Sequence, residues 1–482
     1  MLFNSLGFLL FFPVVFFLYW FVAKNNIKAQ NFILLISSYF FYACWDYRFL
    51  FLLVFSTFLD YYTGLKIYSE ASRPRKKKWL LISVIINLGF LGFFKYYNFF
   101  VESFAEILNS VGFKPDIWTL HIVLPVGISF YTFHGMSYVF DIYNNKVVPR
   151  KNFINYSVFV SYFPLLVAGP IERATHLLPQ VEAPRHFDYS KAIDGMRQLL
   201  WGFFKKIVIA DNCATYVNMV FDNYHDQTGS SLVVGALFFA FQIYGDFSGY
   251  SDIALGTSRL LGIELLRNFS YPYFSRDIAE FWRRWHISLS GWFRDYLYIP
   301  LGGSKGNTWH RVRNTFIIFL VSGFWHGANW TFIAWGALNA IYFLPLLLMK
   351  MNRSNLDIVA QGKLLPSFRE GMGIFLTFAL TVVAWIFFRS ATVADAFEYI
   401  GRIFSPGLFS IPSVLSTETI PLVTCLFLFV IVEWLQRDKK HALQIDGLIA
   451  YRFVRWNVYI LLAFVIYYVG NFGHHAFIYF QF

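Results

Sequence analysis

Long apolar runs recur along the whole of this chain, and they restrict it to folds that satisfy their own backbone hydrogen bonds. Hydrophobic residues fill 57% of the 482 positions, and charged residues fill only 14%, against about 25% in an average soluble domain. Since hydrocarbon offers no partner to a backbone N–H or C=O group, only helices and closed barrels cross a bilayer. Apolar runs near 20 residues favour helices. The sequence therefore predicts an all-α integral membrane protein.

The apolar runs are numerous enough for about a dozen transmembrane or re-entrant helices. They predict helices near residues 6–23, 31–44, 49–64, 79–97, 122–140, 153–168, 197–221, 232–258, 314–326, 328–349, 371–389, 419–436 and 454–472. The first run has no basic region before it and no small-residue cleavage site after it, so we expect a span rather than a signal peptide. No repeat or low-complexity tract divides the chain, which favours one membrane domain over residues 1–482.

Basic residues indicate how the spans are oriented. Residues 73–78 contain five arginines or lysines, and such clusters in short loops stay on the cytoplasmic side. Counting spans back from this cluster places Lys24 and Lys28 on the same side and the N-terminus outside. The net charge of +12 is dispersed over loops, which argues against a nucleic-acid-binding domain.

A polar segment, SGFWHGANW, interrupts an apolar stretch and has His326 at its centre. If Arg311 and Arg313 mark the cytoplasmic surface, a rise of ~1.5 Å per residue carries His326 roughly 20 Å inward, near the bilayer middle. Neutral imidazole can take and return a proton near neutral pH. His326 is therefore predicted to be a general base, and the alternative is a packing histidine bonded across a helix interface. Gly323 and Gly327 would allow another backbone or a substrate to approach.

A second polar segment covers residues 281–296 and contains His286. At ~100° per residue its tryptophans fall on one stripe and Arg283 and Arg294 on another. This pattern predicts one continuous amphipathic helix in the cytoplasmic interface, with tryptophans at headgroup level. Arg283, Arg284 and Arg294 suit the phosphates of a substrate, although contact with anionic lipid explains them equally well.

A third polar segment places Asp246 and Asp252 inside an apolar span. Six residues of helix separate their directions by about 120°, so the two carboxylates do not share one metal ion. We expect Asp252 to pair with an arginine such as Arg259 and leave the role of Asp246 open. The neighbouring glycines are expected to permit close helix packing.

Structural roles are expected for most other histidines and for the cysteines. The cysteines are widely spaced in apolar surroundings, which fits buried packing rather than a disulfide framework or a metal cluster. His134 is expected to be a satisfied core residue. The pair His474 and His475 is expected to be solvated outside the membrane. The cysteines meant are Cys44, Cys213 and Cys425.

Longer motifs around these segments resemble one protein family. RRWHISLSGWFRDYLYIPLGGSKG at 283–306 and SGFWHGANWTFIAWG at 322–336 resemble the two histidine motifs of the membrane-bound O-acyltransferase superfamily. Four further motifs resemble the bacterial alginate O-acetylase branch: LPVGISFYTFHGMSYVFD at 124–141, AGPIER at 168–173, GDFSGYSDIALG at 245–256 and the terminal FIYFQF. The D-alanyl transferases of teichoic acids share the WHISLS part, but DYLYIPLGGSKG looks more like the alginate type.

The resemblance implies a fold, a reaction and partners. The fold would be a bundle of transmembrane or re-entrant helices, with amphipathic interfacial helices, around a tunnel. His326 matches the family's catalytic histidine and His286 its second histidine. Acetyl-CoA would be the cytoplasmic donor, with no permanently bound cofactor and no metal. The acceptor would be a cell-surface polysaccharide, with an SGNH-type acetyltransferase partner outside the bacterial inner membrane.

A transporter or flippase is the main alternative on sequence physics alone. Glycine-broken spans and intramembrane Asp and His residues suit a proton relay. Two features weigh against it: no duplicated half is evident, and an interfacial tryptophan-arginine segment beside a mid-membrane histidine better suits a reaction between two substrates.

Overall fold

The computed structural model describes residues 1–113, 119–120, 122–473 and 477–478, and these contain helices but no β-strand. Their contacts divide into two compact units. Unit 1 comprises Met1–Tyr189 with Ser258–Leu266, and unit 2 comprises Ser190–Thr257 with Arg267–Phe482. The predicted all-α fold is confirmed.

The helices up to residue 182 belong to unit 1. They are α1 (Leu6–Phe17), α2 (Ile27–Asp46), α3 (Leu50–Ser69), α4 (Arg73–Leu91), α5 (Tyr97–Ser110), α6 (Ile128–Tyr143), α7 (Phe153–Ser161), α8 (Phe163–Leu166) and α9 (Ala174–Glu182). Short π-helical segments follow α1 and α4, at Leu18–Val22 and Gly92–Tyr96.

The remaining helices build unit 2, apart from the ends of α10 and α12. They are α10 (Tyr189–Phe203), α11 (Asp211–Asp222), α12 (Gly229–Leu260), α13 (Ile278–Arg284), α14 (Ile287–Phe293), α15 (Thr308–His326), α16 (Trp330–Leu348), α17 (Phe368–Arg389), α18 (Val393–Ile403), α19 (Ile420–Leu435) and α20 (Arg452–Val469). A π-helical segment at Phe204–Ala210 joins α10 to α11, and another at Arg294–Tyr298 follows α14.

Seven helical stretches in the described chain are long and apolar enough to cross a membrane. Several predicted runs merge or shorten: α2 and α3 form one stretch over Ile27–Ser69, and the basic residues 73–78 form the start of α4 instead of a loop. The run predicted at 122–140 becomes the 16-residue α6, which is buried along almost its whole length. Its apolar character therefore reflects a protein core, which hydropathy does not distinguish from lipid contact.

Two of the polar side chains buried in unit 1, those of Asp60 and His134, accept hydrogen bonds from neighbouring elements. Asp60 of α3 accepts hydrogen bonds from the Ser83 hydroxyl at 2.6 Å and the Asn87 amide at 2.8 Å, both on α4. The imidazole Nε2 of His134 on α6 accepts from the backbone N–H of Glu172 at 3.0 Å. His134 is a core residue, as predicted, but only one of its ring nitrogens is satisfied, because Nδ1 is buried without a hydrogen-bond partner among the described residues.

The cysteines only partly follow their expectation. Cys213 and Cys425 are buried and no disulfide joins them, but Cys44 is exposed. Cys44 lies near the end of α2. Apolar neighbours in the sequence do not ensure that another helix packs over its side chain. His474 and His475 lie outside the described residues.

Helix α12 packs at backbone distance against the α10 segment of unit 2. A side chain at Gly249 would meet the carbonyl oxygen of Gly202 at 2.9 Å, which explains the glycines of this span. Asp252 pairs with Lys205 at 2.5 Å, and Asp246 with Lys206 at 2.7 Å. The prediction that Asp252 pairs with Arg259 is wrong, since Arg259 pairs with Glu264.

The two carboxylates of α12 thus serve different lysines on the facing segment. The helix is continuous through both, and each carboxylate contacts a different one of two adjacent lysines. Among the described residues no group of three or more histidines, cysteines or carboxylates is arranged to hold a metal ion.

Helices α15 and α16 form an antiparallel pair whose backbones touch. A Cβ atom at Gly323 would lie 2.2 Å from the carbonyl oxygen of Phe332, and one at Gly336 would lie 2.4 Å from that of Phe319. Close packing of this kind replaces side-chain contacts where small residues line a membrane helix interface. His326 is the last residue of α15, immediately before the turn.

We predict that Gly323→Ala lowers stability by about 1–3 kcal/mol, because the added methyl group must push α16 away. The measurement is the midpoint of thermal unfolding in detergent. Gly371→Ala is the matched control, since a Cβ atom at that position of α17 meets nothing within 4 Å. An equal melting temperature for both variants would contradict the contact.

Candidate active site

The segment that carries His286 is broken, not continuous. Helix α13 ends at Arg284 and α14 begins at Ile287. His286 lies between them in the left-handed region, with φ of +44°. The backbone N–H of Ile287 donates to the carbonyl of Asn268 at 2.9 Å, and the N–H of Ser270 donates to the carbonyl of Arg284 at 2.9 Å. The predicted single amphipathic helix is therefore wrong.

The physical reason for the break is the extended segment that includes Asn268 and Ser270. Its backbone groups take the hydrogen bonds that a continuous helix would have made internally, so the chain turns at His286. The stripe of tryptophans faces the interior of unit 2 rather than a headgroup layer. Trp285 is fully buried and packs against Trp385 with ring centroids 5.0 Å apart.

His286 and His326 come together in the interior of unit 2. Their ring centroids are 6.3 Å apart, and their exposed fractions are only 1% and 3%. The ring of Phe247 stands edge-on to His286 at 4.6 Å, and that of Trp335 stands edge-on to His326 at 5.1 Å. The two histidines thus share a buried enclosure of aromatic side chains.

Hydrogen bonding and burial define the state of His286. Its Nδ1 lies 3.2 Å from the side-chain oxygen of Asn268, and its Nε2 has no hydrogen-bond partner among the described residues. Burial lowers the pKa of His286, which lies outside the seven spans, to about 3. The ring is therefore neutral at physiological pH.

The three arginines singled out from the sequence have different surroundings. Arg284 pairs with Glu280 at 2.8 Å, and Glu280 also binds Arg276 at 3.0 Å. Arg283 donates to the carbonyl oxygens of residues 352 and 355 at 2.9 and 2.7 Å. Both Arg283 and Arg284 are thus held by the protein itself.

Arg294 is different because its side chain is 66% exposed, although it contacts Asp295 at 2.8 Å. It also lines a cavity of about 250 Å³. The cavity follows one face of α15, from Thr315 to Ser322, and Ser322 lies one helical turn before His326. Arg353 lines it as well.

The direction of this cavity follows from the antiparallel pairing of α15 and α16. Arg353 follows α16 in the chain. Because the two helices are antiparallel, the C-terminal end of α16 lies beside the N-terminal end of α15. Arg353 therefore stands at the end remote from His326, and apolar groups such as Phe319 and Phe343 also line the cavity. A cavity with this lining suits a ligand that has an anionic end and a less polar end.

Sequence reasoning missed several residues that shape the site. Asn268 and Glu280 hold the chain on either side of His286, and Trp335 covers His326. Asn268 lies in an irregular segment without periodicity, so no sequence pattern indicated its contact with His286. In the sequence, Glu280 is one acidic residue beside several arginines, and its burial between Arg276 and Arg284 depends on the fold.

The chain is similar to known membrane acyltransferases over most of its length. The sequence model of the membrane-bound O-acyltransferase family matches residues 31–362, which include both histidine motifs. A probable alginate O-acetylase of Pseudomonas aeruginosa is 40% identical over 409 residues, covering 84% of this chain and 75% of that protein. A peptidoglycan O-acetyltransferase of Helicobacter pylori is 35% identical over 428 residues, covering 83% and 79%. A teichoic acid D-alanyltransferase of Streptococcus thermophilus is 29% identical over 314 residues, covering 60% and 75%.

We predict that Glu280→Gln destabilises the protein by about 1–3 kcal/mol, because Arg284 loses its carboxylate partner and Arg276 keeps only Asp357 and Glu370. Asp295→Asn is the matched control, since it makes the same change beside the exposed Arg294 and should cost at most about 1 kcal/mol. Thermal unfolding of both variants in detergent is the measurement. Similar melting temperatures would refute the structural role of Glu280.

Proposed function

This chain belongs to the membrane-bound O-acyltransferase family, and we propose that it carries acetyl groups from cytoplasmic acetyl-CoA to hydroxyl groups of a cell-surface or secreted polysaccharide. The observation that carries the proposal is the pair of buried histidines, with ring centroids 6.3 Å apart. A cavity that is lined by Arg294 and Arg353 reaches Ser322, one helical turn before His326. Family membership makes the chain a multi-pass membrane O-acyltransferase. The acetyl group is supported by the names of the relatives from Pseudomonas and Helicobacter.

In this proposal the cavity along α15 receives the acetyl donor. CoA has an anionic nucleotide end and a slender, less polar pantetheine arm, which fits a cavity lined by Arg294, Arg353 and apolar side chains. Arginine binds phosphate well because its planar fork of donors matches the oxygens. Arg283 and Arg284 contribute indirectly, by holding the 352–357 segment through its carbonyl groups.

His326 acts as the general base in the proposed reaction. It takes the proton of the acceptor hydroxyl while that oxygen attacks the thioester carbonyl carbon. A C–O bond forms, the C–S bond breaks, and the proton returns to the departing thiolate to give free CoA. The aromatic enclosure excludes water, which would otherwise hydrolyse the thioester.

His286 assists as the second histidine of the reaction. Its imidazole orients the acyl donor beside His326, and the alternative is that it stabilises the charge that develops on the carbonyl oxygen. Because the ring is neutral, whichever nitrogen lacks a proton can only accept a hydrogen bond. No metal ion and no permanently bound cofactor enters this scheme.

A transporter is disfavoured because the family membership and the named relatives all indicate group transfer. Orientation also belongs to the proposal, with the basic start of α4 in the cytoplasm, the N-terminus outside, and the protein in a bacterial inner membrane. The acceptor hydroxyl then comes from the outer side. It is supplied by an alginate-like exopolysaccharide or peptidoglycan, directly or through the serine of an SGNH-type partner.

We predict that His326→Ala lowers acetyl transfer roughly 10²–10⁴-fold, the usual contribution of a general base. Acetyl esters on the cell-surface glycan, determined by mass spectrometry, are the measurement, with membrane insertion checked by membrane fractionation. His310→Ala is the matched control, because it makes the same change at the exposed start of the same helix. Wild-type ester content in an inserted His326→Ala protein would eliminate the catalytic assignment.

We predict that Arg294→Glu raises the KM for acetyl-CoA about tenfold or more with little change in kcat, since it removes a charge-assisted contact with phosphate. Arg369→Glu is the control, because Arg369 is exposed at the start of α17 and does not line the cavity. Thioester consumption by the purified protein and its partner is the assay. Equal KM values for Arg294→Glu and wild type would show that the phosphates bind elsewhere.

A further inference from the structure

Asn268 contacts the side chain of His286 and, through its backbone, the residue that follows His286. Its backbone carbonyl accepts from the N–H of Ile287 at 2.9 Å. Its side-chain oxygen has three neighbours that carry or can carry hydrogen: the Nδ1 of His286 at 3.2 Å, and the backbone N–H and hydroxyl of Ser288 at 3.3 and 2.9 Å. Asn268 and His286 are both buried.

The backbone of Ser288 fixes which way the Asn268 amide points. An N–H group can only donate, so the atom that faces it must be the amide oxygen and not the NH₂ group. The NH₂ group then faces the hydroxyl of Ser251, 3.4 Å away. The orientation of the amide is thus set by the backbone N–H of Ser288, which can only donate a hydrogen bond.

The orientation of the amide in turn fixes the proton of His286. Its Nδ1 faces an oxygen that only accepts, so Nδ1 must carry the hydrogen. The neutral ring has one proton, and Nε2 therefore presents a lone pair. That nitrogen is buried and has no partner within the part of the chain that the structure describes.

We propose that Asn268 is a positioning residue that holds His286 as the Nδ1–H tautomer, so that Nε2 accepts a hydrogen bond from an N–H or O–H group of a substrate. This inference deepens the proposed function and rests on it for the role of the substrate. It favours one of the two roles of His286, because a lone pair cannot stabilise an oxyanion. The amide N–H groups of a pantetheine arm are donors of the kind that it would orient.

The inference is tested on the protein without substrate, by nitrogen NMR of ¹⁵N-histidine-labelled protein. A ring nitrogen that carries a proton is distinguished from one that does not, and the signals of His286 are identified by their loss in His286→Gln. We expect Nδ1–H in the wild type and a mixture of tautomers in Asn268→Leu. Ser288→Ala is the control, because it removes the hydroxyl contact with Asn268 and leaves the imidazole contact intact. An Nε2–H signal in the wild type, or an unchanged spectrum in Asn268→Leu, would overturn the inference.

Asn268→Asp keeps the test decisive if Asn268→Leu does not fold. The carboxylate still accepts from Nδ1–H, and its negative charge stabilises the imidazolium. The pKa of His286 should therefore rise by about 1–3 units, seen as a higher midpoint of the His286 signals in a pH titration. The acid limb of the pH profile of acetyl transfer should move upward with it. An unchanged midpoint would also overturn the inference.

Failure of this inference and failure of the proposed function give different results. If His286→Gln transfers acetyl groups at the wild-type rate while the tautomer depends on Asn268, the role of His286 is wrong and the positioning contact stands. If His286→Gln is inactive and the tautomer does not depend on Asn268, the role of His286 stands and the positioning role of Asn268 is wrong. When both roles are correct, Asn268→Leu should lose at least about tenfold in activity, since a wrong histidine tautomer costs up to about 10⁴ in serine proteases.

Discussion

A polar atom inside this protein has neither water nor lipid to bind, and this constraint accounts for most of the contacts around the site. Burying an unpaired charge or hydrogen-bonding group costs several kcal/mol. Lys205 and Lys206 therefore each face a carboxylate of α12, and the carboxylate of Glu280 is shared between Arg276 and Arg284. Each contact satisfies a group that would otherwise oppose folding.

The same constraint explains how a strained residue persists beside the proposed chemistry. A residue other than glycine in the left-handed region costs about 1–3 kcal/mol, and His286 is such a residue. Two backbone hydrogen bonds bracket it, and a third involves the side chain of Asn268. At about 0.5–1.5 kcal/mol each, these contacts are of the size needed to hold the break in place.

Close backbone packing determines where the other histidine lies. Gly323 and Gly336 let α15 and α16 approach so closely that a Cβ atom at either position would overlap a carbonyl oxygen of the other helix, so the end of α15 cannot move independently of α16. His326 ends α15 and is covered by Trp335 of α16. Aromatic packing thus fixes an imidazole that the helix alone would leave at a frayed end.

The sequence by itself determined the class of the fold and singled out His286 and His326 as candidate site residues. Composition and run length predicted a helical membrane protein because hydrocarbon tolerates few other structures, and a histidine in an apolar run is costly enough to indicate a use. The tertiary structure decided the break at His286, the burial of the tryptophan stripe, the lysine partners of the carboxylates and the contact with Asn268. These depend on segments far apart in the chain that meet only after folding, and helical periodicity describes one segment at a time.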